Sequence, residues 1–234
     1  MKRHLIFPIL LIFLLITYFL MAQDPKRASK SINHQTPILK DQYKLKKLTW
    51  GSPIFIRIFK KSKELEIWVK QKSKFKLFKK YPIYYFSGTL GPKLKEGDKQ
   101  APEGFYYVTE KKLNPKSRFH LSFNIGYPNS YDKHHERTGN LIMVHGNKVS
   151  IGCFAMTDPL IEEIYTIAHS AFENGQEYFR VHVFPFHMTK GNMNKYDKSK
   201  WIKFWENLKV GYDYFEKKHL DPEVTVKDGV YVFE

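Results

Sequence analysis

The chain has 234 residues and a formal net charge of +16, from 39 lysines and arginines against 23 aspartates and glutamates. This length provides one domain with a substantial core, or one domain with appendages, and excludes a string of several domains. The charge predicts an anionic partner, which is nucleic acid, acidic lipid headgroups or an anionic wall polymer. The alternative is a basic surface that only aids solubility.

The first 22 residues predict export. Lys2 and Arg3 form a basic start, and residues 5–22 are almost wholly apolar, as in a signal peptide or an uncleaved membrane anchor. The apolar run is long for a signal peptide. Leu20 lies two residues before Ala22, where a small-x-small cleavage site would need a small residue, and both features favour the anchor. A periplasmic location in the cell envelope follows, and it argues against nucleic acid as the partner.

Residues 23–44 are polar and basic and contain Pro25 and Pro37. This composition favours a basic linker, with at most a short helix near its end. We therefore expect one folded domain over residues 45–234.

Patterns typical of strands dominate the first half of this domain. Apolar residues alternate from Ile54 onward, which predicts antiparallel strands with one buried face. The predicted strands span residues 54–59, 64–69, 75–78, 83–87, 104–109 and 119–125. A loop rich in Gly, Pro, Lys and Asp separates them over residues 90–101, and a second loop with several titratable side chains spans residues 126–140.

Helices and a hairpin follow in the second half. Asp158 and Pro159 form a helix-start signal, and Gly175 is a stop signal after an apolar stripe. The other predicted elements are a strand over residues 179–184, a helix over residues 199–215 and a β-hairpin over residues 224–232. The fold class is therefore mostly β with peripheral helices (α+β), built on a curled β-sheet or sandwich.

The only cysteine, Cys153, lies eight residues after His145, with Gly146 and Gly152 beside the pair. A thiol with the ordinary pKa of about 8.5 is mostly protonated at neutral pH, so a nucleophilic cysteine needs a base such as histidine. The glycines permit a sharp turn that could direct backbone N–H groups at an oxyanion. The gap suits a strand, a tight loop and a return to the imidazole. A buried structural cysteine is the alternative.

Other chemistries lack their motifs. Neither an H-E-x-x-H sequence nor a cysteine-rich ligand spacing occurs, so we expect no metal and no cofactor. A Gly-rich phosphate loop and a G-x-S-x-G turn are also missing from the sequence. Five histidines could suggest a metal site, although no metal-ligand spacing appears among them: His120, His134, His135, His182 and His187.

The segment around the Cys/His pair resembles the L,D-transpeptidase (YkuD-type) family, and within it the YafK-like murein branch. His145-Gly146 followed by Ser150-Ile151-Gly152-Cys153 is similar to the family's H-G…S-x-G-C signature. Residues 97–106, GDKQAPEGFY, are similar to its P-x-G-x-[FY] strand entry. Together the motifs are fairly specific, and the resemblance extends from about residue 45 to near the C-terminus, with further similar segments at residues 114–115, 119–122, 126–129 and 137–139.

The resemblance implies acyl transfer on peptidoglycan stem peptides through a Cys153 thioester, beside a meso-diaminopimelate-type residue. It implies that His145 is the base, that the carbonyl near Gly146 orients the imidazole, and that Gly152 belongs to the catalytic turn. The residues expected to bind substrate are Arg137, Ser150, Phe154 and Tyr127. Arg137 and Arg180 are the candidates to hold a stem-peptide carboxylate by bidentate pairing, and an ordinary surface ion pair is the alternative, which is favoured for Arg180.

Two positions depart from the broader family. Its second histidine before the Gly-Cys pair is Ile151 here, and its Arg or Asn two residues after the cysteine is Ala155. Three functions therefore stay open: transpeptidation, hydrolysis of stem-peptide or lipoprotein-to-peptidoglycan amide links, and a non-catalytic wall-binding module. The expected partners are peptidoglycan stem peptides, a wall-linked lipoprotein and, through residues 1–22, the inner membrane. We expect a monomer that does not bind nucleic acid.

Overall fold

The computed structural model describes residues 26–234. The predicted signal peptide or anchor over residues 1–22 lies outside the described residues. Within residues 26–234, no helix is both long enough and apolar enough to cross a membrane. In chain order the elements are α1 (Arg27–Leu45), β1 (Ile54–Phe59), β2 (Glu64–Gln71), β3 (Lys74–Pro82), β4 (Tyr85–Phe86), β5 (Gly104–Thr109), a 3₁₀ turn (Glu110–Lys112), β6 (Leu113–Asn114), β7 (Ser122–Asn124), α2 (Ser130–His134), β8 (Met143–His145), β9 (Phe154–Ala155), α3 (Asp158–Glu173), β10 (Tyr178–Phe184), α4 (Lys190–Lys195), α5 (Ile202–Lys218), β11 (Val224–Lys227) and β12 (Val230–Phe233).

The larger sheet has the strand order β3-β2-β1-β10-β5, with β1 and β10 parallel and the other neighbours antiparallel. Its central strand β1 is buried along its whole length. Ile54, Ile56 and Ile58 enter the main core, whereas Phe55 on the other face packs against Phe215 of α5, with ring centroids 4.7 Å apart. The prediction of one buried face is therefore wrong for β1, because α5 covers the second face.

A smaller sheet has the strand order β4-β9-β8-β7-β6. Apolar side chains of β7, β8, β9 and α3 share the main core with the inward face of the larger sheet. Two sheets with helices outside them confirm the predicted fold class. The predicted helix after Pro159, the second helix and the C-terminal hairpin also occur, as α3, α5 and β11–β12.

The predicted basic linker is different in the structure. From Arg27 to Leu45 the chain forms the 19-residue helix α1, with Pro37 inside it. Its buried positions recur every three or four residues, which is one stripe of a helix, and Leu39 and Tyr43 belong to the main core. Polar members of that stripe hid it in the sequence. The buried residues of α1 are Ala28, Ser31, Gln35, Leu39 and Tyr43.

A buried ion pair connects β1, β5 and α5. The Lys60 side chain follows β1 and the Glu103 side chain precedes β5, and both are fully enclosed, with Nζ 2.9 Å from Oε1. Lys60 Nζ also donates to the carbonyls of Gly91 and Ala101, at 2.8 and 2.9 Å. Glu103 accepts from the Gly91 N–H and from the Trp205 indole, at 2.7 and 2.8 Å. Every charged atom of the pair therefore has a partner.

We predict that Glu103→Gln lowers the free energy of unfolding by about 3 kcal/mol, because it leaves the Lys60 ammonium buried without its counter-ion. Urea unfolding followed by circular dichroism measures the change. Glu110→Gln makes the same chemical change at an exposed position and serves as the control. Equal stability of the two variants would contradict this account of the network.

Candidate active site

The Cys/His pair lies where two short strands run side by side. β8 and β9 are parallel, with Val144 opposite Phe154 and His145 opposite Ala155. Extending this register by one residue places Cys153 beside Met143. Residues in register share a face of the sheet, and residues two apart on one strand also share it, so Cys153 and His145 belong to the same face. The loop of residues 146–153 returns the chain to the start of β9, as the spacing predicted, but the second strand is parallel to the first.

Position 146 has no room for a side chain, which explains why the residue there is glycine. A Cβ there would lie 2.6 Å from Asp158 Oδ1, 2.8 Å from the Phe119 carbonyl oxygen and 2.9 Å from His120 Cβ. Asp158 also accepts the N–H of Asn147 at 2.7 Å, so the start of α3 is tied to the segment that follows His145. The His-Gly sequence therefore sits in a closely packed slot.

His145 is held as a neutral base. The Nδ1–H donates to the Gly146 carbonyl at 2.5 Å, which fixes the tautomer and leaves Nε2 with a free lone pair. The ring is 1% exposed and packs against Phe119, with centroids 4.8 Å apart. Burial lowers the pKa of His145 below its ordinary value, and the Gly146 hydrogen bond opposes this shift in part. At neutral pH the imidazole is therefore able to accept a proton.

The Cys153 thiol is partly buried and is the free cysteine of the chain. Its Sγ accepts the Met143 N–H at 3.4 Å and lies 3.7 Å from the Leu141 carbonyl oxygen. Burial raises the pKa of Cys153, while the Met143 hydrogen bond and the Lys93 ammonium act in the opposite direction. Burial thus favours the neutral form of both the thiol and the imidazole.

Ser150 and Gly152 shape the loop before the thiol. The Ser150 hydroxyl donates to the Cys153 carbonyl at 2.7 Å and accepts the Gly152 N–H at 3.2 Å. Ser150 is therefore engaged within the loop, and the Gly152 N–H is already occupied rather than directed at an oxyanion. Gly152 has φ +136°, a conformation that side chains rarely adopt, which explains the glycine.

Both Cys153 and His145 line a cavity of about 620 Å³. Lys93, Lys99 and Arg118 give it a basic wall, and Glu96 is the acidic residue of the lining. The sequence analysis missed these cations as site residues. The available signal was the Lys- and Gly-rich loop directly before the P-E-G-F-Y segment.

None of the four residues expected to bind substrate lines this cavity. Arg137 is buried and pairs with Asp132, with Nη1 2.9 Å from Oδ1. Tyr127 is buried and donates its hydroxyl to the Thr138 carbonyl at 3.2 Å. Phe154 is fully buried in the main core. Arg137, Tyr127 and Phe154 are each committed to packing or to an internal partner.

The two positions that depart from the broader family differ in surroundings. Ile151 lines the cavity and is 79% exposed, so its side chain forms an apolar lip. Ala155 is fully buried in β9. The basic residues of this cavity come from other segments, at positions 93, 99 and 118.

Comparison with known proteins identifies the family. The family model described as "YkuD: L,D-transpeptidase catalytic domain" matches residues 53–183, more than half of the chain. The chain belongs to the L,D-transpeptidase catalytic domain family, which confirms the resemblance seen in the sequence.

Two similar Escherichia coli proteins agree with this assignment. The chain is 43% identical over 202 residues to "Putative L,D-transpeptidase YafK" of Escherichia coli K12, covering 86% of this chain and 81% of that protein, and the O157:H7 protein matches equally. The solved structure of the helical cell shape determining protein Pgp2 from Campylobacter jejuni is 20% identical with a TM-score of 0.47, covering 75% of this chain and 73% of that one. Bdellovibrio bacteriovorus Bd1075 is 18% identical with a TM-score of 0.40, covering 76% and 78%.

We predict that Gly146→Ala lowers the stability of the protein by about 2 kcal/mol, because the added methyl group has no room beside Asp158 and Phe119. Thermal unfolding measures the loss. Gly191→Ala is the matched control, since a Cβ there meets nothing within 4 Å. If the Gly146→Ala protein unfolds at the same temperature as the wild type, the space around Gly146 is not tightly packed.

Proposed function

We propose that the protein is a cysteine-dependent murein L,D-transpeptidase that acts on peptidoglycan stem peptides in the cell envelope. One observation carries the proposal: the Cys153 thiol and the His145 imidazole lie in one cavity, and the Gly146 carbonyl fixes the imidazole as a base. The family supports the substrate class. Residues 1–22 would direct the chain to the envelope or anchor it in the inner membrane.

In the first half-reaction, Cys153 Sγ attacks an amide carbonyl carbon of the donor stem peptide. The thiol proton moves to His145 Nε2, and the oxygen of the tetrahedral intermediate carries the negative charge. The C–N bond then breaks, His145 returns the proton to the leaving amine, and the donor remains as a thioester on Cys153.

In the second half-reaction, an amine of another stem peptide attacks the thioester. His145 accepts a proton from this amine and returns it to the Cys153 sulfur as the C–S bond breaks, and the new amide is the cross-link. Water in place of the amine would release a shortened stem, or would cut a lipoprotein-to-peptidoglycan link. Both reactions share the same acyl-enzyme, so the second nucleophile decides between them.

The basic cavity wall suits a substrate that carries carboxylates. Lys99 and Arg118 are exposed at its surface, on segments separated by β5 and β6. Stem peptides contain free carboxylates, which such cations can pair with. This assigns substrate contact to residues other than Arg137, Tyr127 and Phe154.

Muropeptides incubated with the purified protein and analysed by mass spectrometry test the proposal. We expect new cross-linked dimers, and we expect Cys153→Ala to form none. Shortened stems without dimers would overturn transfer and identify a hydrolase. A lack of products, with unchanged wall binding by Cys153→Ala, would identify a non-catalytic wall-binding module.

A further inference from the structure

The cavity that contains the nucleophile has a buried lysine in its wall. Lys93 is 4% exposed, yet it lines the same cavity as Cys153 and His145. Lysines are seldom buried to this extent unless they are paired, because the charge loses its hydration. We therefore ask which contacts hold the Lys93 ammonium in this buried position and how its charge affects the groups in the cavity.

A rigid acidic turn holds the ammonium in place. Lys93 Nζ is 2.6 Å from Asp98 Oδ1 and donates to the Lys95 carbonyl at 2.8 Å. The same carboxylate accepts the N–H groups of Leu94, Lys95 and Gln100, at 2.9, 3.1 and 3.0 Å. These contacts lower the pKa of Asp98, although burial opposes them, and the carboxylate stays charged.

An aromatic side chain supports the other side of Lys93. The Tyr127 ring has its centroid 5.9 Å from Lys93 Nζ, and its hydroxyl lies 3.4 Å from the Lys93 carbonyl oxygen. Tyr127 thus serves the site indirectly, by positioning the lysine. The loop that carries Lys93 is itself joined to the buried Lys60 through the Gly91 carbonyl, at 2.8 Å.

We propose that Lys93 is the positioned cation that stabilises the Cys153 thiolate when His145 removes the thiol proton. The proposal rests on the proposed function for its role in catalysis. Sγ loses its proton to His145 Nε2, and the resulting negative charge on sulfur lies in the field of the Lys93 ammonium. No new bond to Lys93 forms, and its own protonation state does not change.

Lys93 differs from the other charged groups of the cavity. Glu96, Lys99 and Arg118 are exposed, so water and salt screen their effect on sulfur. Lys93 is shielded from solvent and fixed in position, which preserves its interaction with the thiolate. Among the described charged groups, Lys93 is the one that counteracts the effect of burial on the pKa of Cys153.

The pH dependence of Cys153 alkylation by iodoacetamide tests this proposal in the full-length protein. The chain has one cysteine, so every adduct reports Cys153. We expect Lys93→Met to raise the midpoint by about one pH unit. A more basic thiolate is also more nucleophilic, so the rate at pH 7 should fall by roughly threefold.

Two further variants serve as controls. Lys93→Arg keeps the charge and should stay close to the wild-type midpoint. Lys99→Met removes a charge from the exposed wall of the same cavity and should also leave the midpoint unchanged. A purely structural role for Lys93 would not move the ionisation of sulfur in this pattern.

Folding is controlled by a double variant. Lys93→Met leaves Asp98 without its partner, and Lys93→Met/Asp98→Asn removes both charges while keeping the shape; it should raise the midpoint in the same direction. An unchanged midpoint in whichever of these two variants folds, or an equal shift in Lys99→Met, would overturn the proposal. Alkylation needs no peptidoglycan, so this outcome is independent of whether the protein forms cross-links.

Discussion

The ammonium of Lys60 is enclosed by protein on all sides and donates to three oxygens, one of which belongs to Glu103. A buried ion pair of this kind is stable only when its geometry is complete, and removal of one member is costly. The pair joins the end of β1, the entry to β5 and Trp205 of α5. Through Gly91 and Ala101 it also fixes both ends of the loop that carries Lys93. The arrangement of the fold and the wall of the cavity therefore depend on the same few contacts.

The arrangement of Cys153 and His145 depends on a second constraint, which is the lack of space around Gly146. Gly146 sits against Asp158 and Phe119, and its carbonyl can then reach the imidazole of His145. Burial favours the neutral forms of His145 and Cys153. In the proposed mechanism the thiolate arises during the attack, when the imidazole takes the proton. A fixed cation such as Lys93 contributes most in that situation, because it requires no rearrangement as the charge develops.

Local patterns in the sequence predicted much of this structure. The alternation in β1, the helix start at Asp158 and the Cys/His spacing each depend on neighbouring residues, and each element occurs. The elements that the sequence did not predict depend on contacts between segments that are distant in the chain. The composition of residues 23–44 predicts a linker in place of helix α1, because the buried stripe of the helix includes the polar residues Ser31 and Gln35. Their burial depends on the rest of the domain.

Position in the sequence also does not show which of the expected substrate residues reach the cavity. Phe154 directly follows the nucleophile, but in a strand it faces the opposite side from Cys153 and enters the core. Arg137 is drawn away from the cavity by Asp132, five residues earlier in the chain. Lys93 could not be singled out from sequence, because it is one of 39 lysines and arginines, and only the fold shows that it is buried in the wall of the cavity that Cys153 lines.

The most direct test of the central claim is the intact mass of the protein, quenched in acid during incubation with a donor stem peptide and no acceptor. The account predicts a wild-type species heavier by the acyl group, attached at Cys153 and released by hydroxylamine as a thioester. Cys153→Ala should show no such species. An adduct that persists in Cys153→Ala, or turnover by the wild type with no adduct at any time, would contradict the assignment of Cys153 as the nucleophile.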